Sequence, residues 1–328
     1  MFHSSTSSSD TFGRGSWGRI LAPGLLWCGL LLLLLEVGLR VLVPNGHVPT
    51  GAWYNAELRD QAGQLEALGG VDVMITGSSV STVNVPPLGF DEELVRRGVN
   101  LTSFNAGVRG CDYSGIYPVF RTVFWSRRQA PVVILVVAPV DLDENNAFVK
   151  QRSARFRESL QIGRLVGFSR DLFRHLWLFG FRNEIRHYSR SGEWLYEPSR
   201  VTQRGHTDLG SEQLGRGEYA FRFQQSGEIA TTLFNMVDWL TRQGVRVLVV
   251  PGLMDSATWA MVAPEEMARF EAILAELDAR EGVQYVEARD LTRPDSEFID
   301  ELHLTTGAAW AYAQSLAQRL APYLGNVE

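Results

Sequence analysis

The sequence predicts an α/β fold: a flavodoxin-like, doubly wound parallel sheet of five strands within three α/β/α layers. The first observation is a set of short apolar runs rich in β-branched residues, as in strands buried on both faces of a parallel sheet. These runs are 71–76, 101–105, 132–138, 245–250 and 284–287. The second is a set of helical patterns between or after them, at about 88–97, 113–128, 229–243, 262–280 and 305–324. Strand and helix therefore alternate, which favours this architecture.

The third observation concerns the N-terminus. Residues 1–19 are rich in Ser and Gly and predict a disordered cytoplasmic tail. Residues 20–43 are apolar apart from Glu36 and Arg40, and this length spans a bilayer core of about 30 Å as a helix. Basic residues before the segment favour the N-terminus inside. A cleaved signal peptide is the alternative, but no clear small-x-small cleavage site follows the apolar run. We therefore expect a single-pass anchor in the cell membrane, a stalk at 44–70, and a periplasmic or extracellular domain.

The predicted α/β domain covers residues 71–328 and contains a long insertion at 142–227. Residues 150–204 of this insertion hold twelve Lys and Arg against five Asp and Glu. Such a segment is compatible with a helix on an anionic membrane surface, with an ordinary packed helix that has a solvated basic face, or with a cap over the site. The sequence leaves these three interpretations open.

Composition excludes several function classes. The chain has 31 Lys and Arg against 37 Asp and Glu, a formal charge of −6, whereas nucleic-acid binders usually carry a net basic field. It has two cysteines, which exclude a disulfide framework and a Cys-rich zinc module. The loop 105–110 after the second predicted strand is not a Gly-x-Gly-x-x-Gly dinucleotide fingerprint, and no Walker motif occurs in the sequence. We expect no nucleic-acid partner and no nucleotide cofactor.

Three loops that leave predicted strands carry candidate chemistry. The first strand ends in Gly77-Ser78-Ser79, which places a hydroxyl at the carboxyl edge of the sheet. The second strand is followed by Gly107 and Gly110, whose spacing lets backbone amides approach a ligand and hold a developing oxyanion. Each motif alone is weak, since glycines and serines at these positions also form ordinary turns.

The last loop contains Asp300 and His303, followed by an amphipathic helix. On a tight turn this spacing lets the carboxylate reach one imidazole nitrogen and leaves the other free to take a proton from a serine. An isolated Asp-x-x-His is more often a surface turn. The order of all three loops, each at the end of a predicted strand, favours one shared active site.

Together these motifs resemble those of the SGNH/GDSL hydrolase superfamily. The Gly-Ser-Ser form is similar to the membrane-anchored branch that includes the D-alanyl lipoteichoic acid and exopolysaccharide acylation proteins. The resemblance implies Ser79 as the nucleophile, His303 as the general base and Asp300 as its orienting carboxylate. It also implies an oxyanion hole formed by the amides of Ser79 and Gly110, with no metal or organic cofactor.

One block departs from the family pattern. After the third strand the family usually has Gly-x-Asn-Asp, in which the Asn donates to the oxyanion. This chain has Ala138-Pro139-Val140-Asp141, and Val140 cannot donate. Asn145 and Asn146, farther along the loop, are the candidate substitute donors. Loss of one oxyanion donor costs on the order of 10²–10³ in rate, so this departure favours a slow hydrolase, a transferase or a protein without activity.

The leading expectation is a serine esterase or O-acyltransferase that acts on acyl esters of a carbohydrate or cell-envelope polymer. The alternative is a non-catalytic envelope component that binds glycan or an integral membrane acyltransferase as its partner. The substrate, the acyl group and the oligomeric state are not encoded in any motif of the sequence.

Overall fold

The structure is a computed structural model that describes residues 27–35, 37–38, 53–165, 200–215, 217 and 219–325. The predicted tail at 1–19 lies outside the described residues, as do most of the predicted anchor and residues 166–199 of the insertion. Residues 27–35 are helical and exposed. In the parts of the chain that are described, no helix combines the length and the apolar character that a bilayer crossing requires. The predicted single-pass membrane location is therefore wrong on this finding.

The core of the described residues from 53 onward is a five-stranded parallel sheet. Its strands occur in the order β2-β1-β3-β4-β5, as the flavodoxin-like prediction requires. All four strand pairs are parallel. The strands are β1 (Val73–Thr76), β2 (Ser103–Asn105), β3 (Val132–Val137), β4 (Arg246–Pro251) and β5 (Val283–Tyr285). The predicted fold class is confirmed, and the observed strand ends differ from the predicted ones by at most two residues.

Helices cover both faces of the sheet, giving the three α/β/α layers. Helix α3 packs against α9, whereas α4 packs against α6, and α6 against α8. The helices are α1 (Trp53–Ala67), α2 (Ser79–Asn84), α3 (Pro87–Arg96), α4 (Tyr113–Val119), α5 (Ala147–Leu165), α6 (Glu228–Thr241), α7 (Ser256–Ala260), α8 (Pro264–Asp278) and α9 (Thr306–Leu324). Every residue of β3 is buried, which explains its continuous Val, Ile and Leu composition.

Two segments outside the central fold are attached to it by specific contacts. Helix α1, which falls in the predicted stalk, buries Leu58 and Leu65, and its Gln61 side chain donates to the carbonyl of Gly205 at 2.9 Å. Helix α5, the described start of the insertion, packs against α4. Both segments therefore lie against the domain beside the loops that leave β1 and β2.

Candidate active site

The loop after β1 presents Ser79 at the start of α2. Gly77 permits this turn, because a Cβ at that position would lie 2.5 Å from the carbonyl oxygen of Val136. Ser78 caps the helix: its Oγ accepts from the amide of Val80 at 3.2 Å. Ser79 is the first residue of α2 and is partly buried. Its amide therefore belongs to the group of helix N-terminal amides that have no acceptor within the helix.

The loop after β2 is tied to the same short helix by Asn105. Its side-chain nitrogen Nδ2 donates to the carbonyls of Ser81 and Val85 at 2.8 and 3.0 Å. Its Oδ1 accepts from the amide of Gly107 at 3.1 Å. Farther along this loop, Gly110 has a φ of +67°, a left-handed conformation that favours glycine. The loops carrying Ser79 and Gly110 are thus held in a fixed relation.

The loop before α9 contains the Asp-His pair. Asp300 Oδ2 lies 2.7 Å from His303 Nδ1, and Asp300 Oδ1 accepts from the amides of Leu302 and His303 at 2.8 Å each. Burial alone would raise the pKa of Asp300, but the bond with His303, its charge and the two amides outweigh it. The pKa of Asp300 therefore lies below its ordinary value of 3.8, and the carboxylate stays charged at neutral pH.

The residue that joins this loop to Ser79 is Asn84, the last residue of α2. Its side-chain amide donates to the carbonyl of Leu302 at 2.8 Å, and its Oδ1 accepts from the amide of Leu304 at 2.9 Å. One six-residue helix therefore carries Ser79 at its first turn and holds the His303 loop at its last. Sequence reasoning did not identify Asn84, because nothing local marks a partner more than two hundred residues away.

These loops meet at a cavity of about 230 Å³. Ser79, Gly110, Asp300 and His303 all line it. His303 Nε2 is buried and has no hydrogen-bond partner among the described residues, so Ser79 and His303 share a cavity without a bond between them. Such hydrogen bonds are often long in ligand-free enzymes and shorten when substrate binds. His303 therefore contributes to the cavity wall with Nδ1 held by Asp300 and with Nε2 unpartnered.

The two candidate substitute donors are placed differently. Asn145 does not line the cavity, and its side-chain amide donates to the carbonyl of Ala220 at 2.9 Å. Asn146 lines the cavity, and its Oδ1 accepts from the amide of Val149 at 3.1 Å. Val140 also lines the cavity and supplies only an apolar surface there. The structure therefore brings Asn146, but not Asn145, to the site.

A buried carboxyl lies behind the proposed nucleophile. Asp141 Oδ2 accepts from the amide of Ala138 at 3.0 Å. Burial raises the pKa of Asp141 to about 7, although hydrogen bonds from Ser78 and Ala138 lower it. The nearby charge of Asp112 raises it further. Asp141 is thus a carboxyl that changes its charge near neutral pH in the wall of the cavity.

The described end of the insertion also reaches the cavity. Tyr219 lines it and donates its hydroxyl proton to Glu301 at 2.5 Å, and Glu301 also accepts from the amide of Gly217 at 3.1 Å. Burial and the Glu301 carboxylate raise the pKa of Tyr219 above its ordinary value. Tyr219 therefore remains a neutral donor. Within the described part of the chain, no three His, Cys, Asp or Glu residues are grouped as metal ligands.

Comparisons with known proteins gave matches among solved structures only. No family model matches the chain. No curated protein matches it either. It is similar to a GDSL-like lipase from Bacteroides thetaiotaomicron, with 9% identity, a TM-score of 0.40, and coverage of 83% of this chain and 98% of that one.

Two further solved structures are carbohydrate esterases by name. One is a family two carbohydrate esterase from Clostridium thermocellum in complex with cellohexaose, with 9% identity, a TM-score of 0.39, and coverage of 79% and 66% of the two chains. The other is a carbohydrate acetylesterase family member from Sinorhizobium meliloti, with 12% identity, a TM-score of 0.33, and coverage of 77% and 99%. At these identities the role of each residue has to be argued from the geometry of this chain.

Proposed function

We propose that the protein is a serine esterase or O-acyltransferase that acts on acyl esters of carbohydrates. Ser79 is the nucleophile, His303 the general base and Asp300 the carboxylate that orients it. One observation carries this proposal: the Asp300–His303 pair leaves a buried, unpartnered Nε2 on the cavity that Ser79 also lines. An imidazole held by a carboxylate on one side and free on the other is the arrangement that serine activation needs.

The reaction follows from these positions. The Ser79 hydroxyl oxygen bonds to the ester carbonyl carbon while its proton passes to His303 Nε2, and the carbonyl π electrons move to oxygen. The amides of Ser79 and Gly110 stabilise that oxyanion. When the carbonyl reforms, the bond to the alkoxy oxygen breaks and His303 gives its proton to the leaving alcohol. Water or a sugar hydroxyl then attacks the acyl-serine, with His303 again accepting the proton. As the carbonyl re-forms, the bond between the acyl carbon and Ser79 Oγ breaks, and His303 returns the proton to Ser79.

The cavity favours a short acyl group. Its volume of about 230 Å³ is below the range of roughly 300–1,000 Å³ that drug-sized ligands occupy. An acetyl group fits such a space. Phe148, which is 64% exposed beside the cavity, offers an apolar face for the ring of the alcohol portion. These features support an acylated carbohydrate as the substrate.

The experiment is active-site labelling of the full chain with a fluorophosphonate, which phosphonylates an activated serine. We expect the wild type to be labelled and Ser79→Ala to give no label. Ser315→Ala is the matched control, because its hydroxyl bonds the carbonyl of Ala311 within α9, away from the cavity. Full labelling of Ser79→Ala would exclude Ser79 as the nucleophile.

A second candidate function, glycan binding without turnover, is supported by Val140. This residue lines the cavity where a side-chain oxyanion donor would be useful. Hydrolysis of p-nitrophenyl acetate, combined with the labelling result, separates the two functions. Turnover that disappears in His303→Ala supports the enzyme, whereas an unlabelled and inactive wild type that binds acylated glycan supports the binding protein.

A further inference from the structure

Arg152, on the second turn of α5, lies in the cavity wall against Gly110. A Cβ added to Gly110 would lie 2.6 Å from both Cζ and Nη1 of Arg152. The guanidinium therefore packs directly on the Cα of the residue whose amide is proposed to hold the oxyanion. Its Cζ also lies 4.7 Å from the ring centroid of Phe148, an arrangement in which the cation meets an aromatic face.

The position of Arg152 is fixed by its neighbour Ser153. The Ser153 hydroxyl accepts from the amide of Asp112 at 3.1 Å, two residues after Gly110. Gly115 in α4 allows this approach, since a Cβ there would lie 2.8 Å from Ser153 Oγ. Ser153 is fully buried. Helix α5 is thus joined to the loop that carries Gly110, and Arg152 is presented at a defined place.

We infer that Arg152 is a catalytic residue that supplies the oxyanion donor which Val140 cannot. This inference rests on the proposed function and names a further group of the same site. When Ser79 attacks, the carbonyl oxygen gains a full negative charge beside Gly110. A guanidinium N–H donates to that oxygen, so its hydrogen bond is strongest after the charge has formed. Arginine suits this role because it presents five donors on a rigid plane and keeps its charge at any working pH.

The two asparagines proposed as substitute donors compare with Arg152 as follows. The Asn145 side chain is bonded to Ala220 and lies outside the lining. Asn146 lines the cavity, and its bond with the amide of Val149 uses the acceptor Oδ1, so its side-chain NH2 is the competing donor. A neutral amide would also stabilise a full negative charge less than a guanidinium does. Asn146→Ala therefore serves as the competing variant in the experiment.

The test compares full-length variants on p-nitrophenyl acetate, a neutral ester with no anionic group for an arginine to recognise. Arg152→Met keeps an unbranched chain against Phe148 and Gly110 but removes every donor. We expect its kcat to fall on the order of 10²–10³-fold while KM changes by less than about threefold, because the bond forms only in the transition state. We expect Arg152→Lys to retain part of the rate, and added guanidinium to restore part of it to Arg152→Ala.

Arg157→Met is the matched control, since Arg157 lies on the same helix, pairs with Glu228 and is absent from the cavity lining. We expect Arg157→Met to have the kcat and KM of the wild type.

A Ser79→Ala variant that retains turnover, or a wild type that neither turns over nor is labelled, would overturn the proposed function. Three results would overturn this inference alone, provided that Ser79→Ala is inactive. They are a wild-type kcat in Arg152→Met, a change in KM only in that variant, or a larger loss of kcat in Asn146→Ala than in Arg152→Met. Equal unfolding midpoints of wild type and Arg152→Met exclude a folding defect. If the two midpoints differ, the kinetic comparison uses Arg152→Lys instead of Arg152→Met.

Discussion

Substitution of Asp141 by Asn tests whether burial behind Ser78 keeps this carboxyl protonated up to neutral pH. Burial raises the pKa of Asp141 from 3.8 to about 7. In the unfolded chain this carboxyl loses its proton near pH 4, whereas in the folded chain it keeps the proton until about pH 7. The folded state therefore binds more protons between these values, and the free energy of unfolding falls as the pH rises through this window.

The magnitude follows from the shift of about three pKa units. At 1.36 kcal/mol per unit, ionisation of Asp141 costs the folded wild type on the order of 4 kcal/mol above about pH 8. Asn has the same shape, and its side-chain oxygen can still accept from the amide of Ala138. We therefore expect the stability of Asp141→Asn, relative to wild type, to increase by about 1 kcal/mol for each pH unit from about pH 5 to pH 7.

The assay is urea unfolding of the full chain at several pH values, with the wild-type free energy subtracted from that of the variant. Asp290→Asn is the control, because Asp290 is fully exposed and the hydrogen bond with Arg319 lowers its pKa. Its carboxylate is charged throughout the window in both states, so its difference from wild type should not change with pH. A constant difference between Asp141→Asn and wild type over this range would refute the reasoning.

Two further predictions concern activity. Asp300→Asn should lower kcat for p-nitrophenyl acetate by about 10²–10⁴-fold, because the neutral amide neither holds the required tautomer of His303 nor stabilises the imidazolium. A smaller effect on kcat would contradict the role given to Asp300. Gly110→Ala should lower both activity and stability, because its Cβ would meet the Arg152 guanidinium. Gly98→Ala is the control, since Gly98 has a similar φ of +78° and no atom lies within 4 Å of its added Cβ. Gly98→Ala should lose only about 1 kcal/mol of stability and no activity. Equal kcat values for these two variants would count against the proposed placement of Gly110.

Much of the fold and part of the site could be predicted from local patterns. The alternation of β-branched runs with helical periods is a local property, and it was enough for the five-stranded parallel sheet. The loops carrying Ser79, Gly110 and His303 were each placed at the carboxyl end of a predicted strand or before the last helix. Because parallel strands end at one edge of the sheet, their meeting at one cavity was a direct expectation. The membrane location rested on the length and apolar character of residues 20–43 and on the basic residues before them, and the described helices contradict it.

The sequence by itself indicated which side chains are candidates for the chemistry and in which order they leave the sheet. The tertiary structure decided what surrounds them: Asn84 clamps the His303 loop, Arg152 packs on Gly110, and Asp141 is deprived of water. These contacts join residues from about 40 to more than 200 positions apart, and no local periodicity specifies them. Burial raises the pKa of Asp141, and packing directs Arg152 at Gly110, so both properties exist only once the chain has folded.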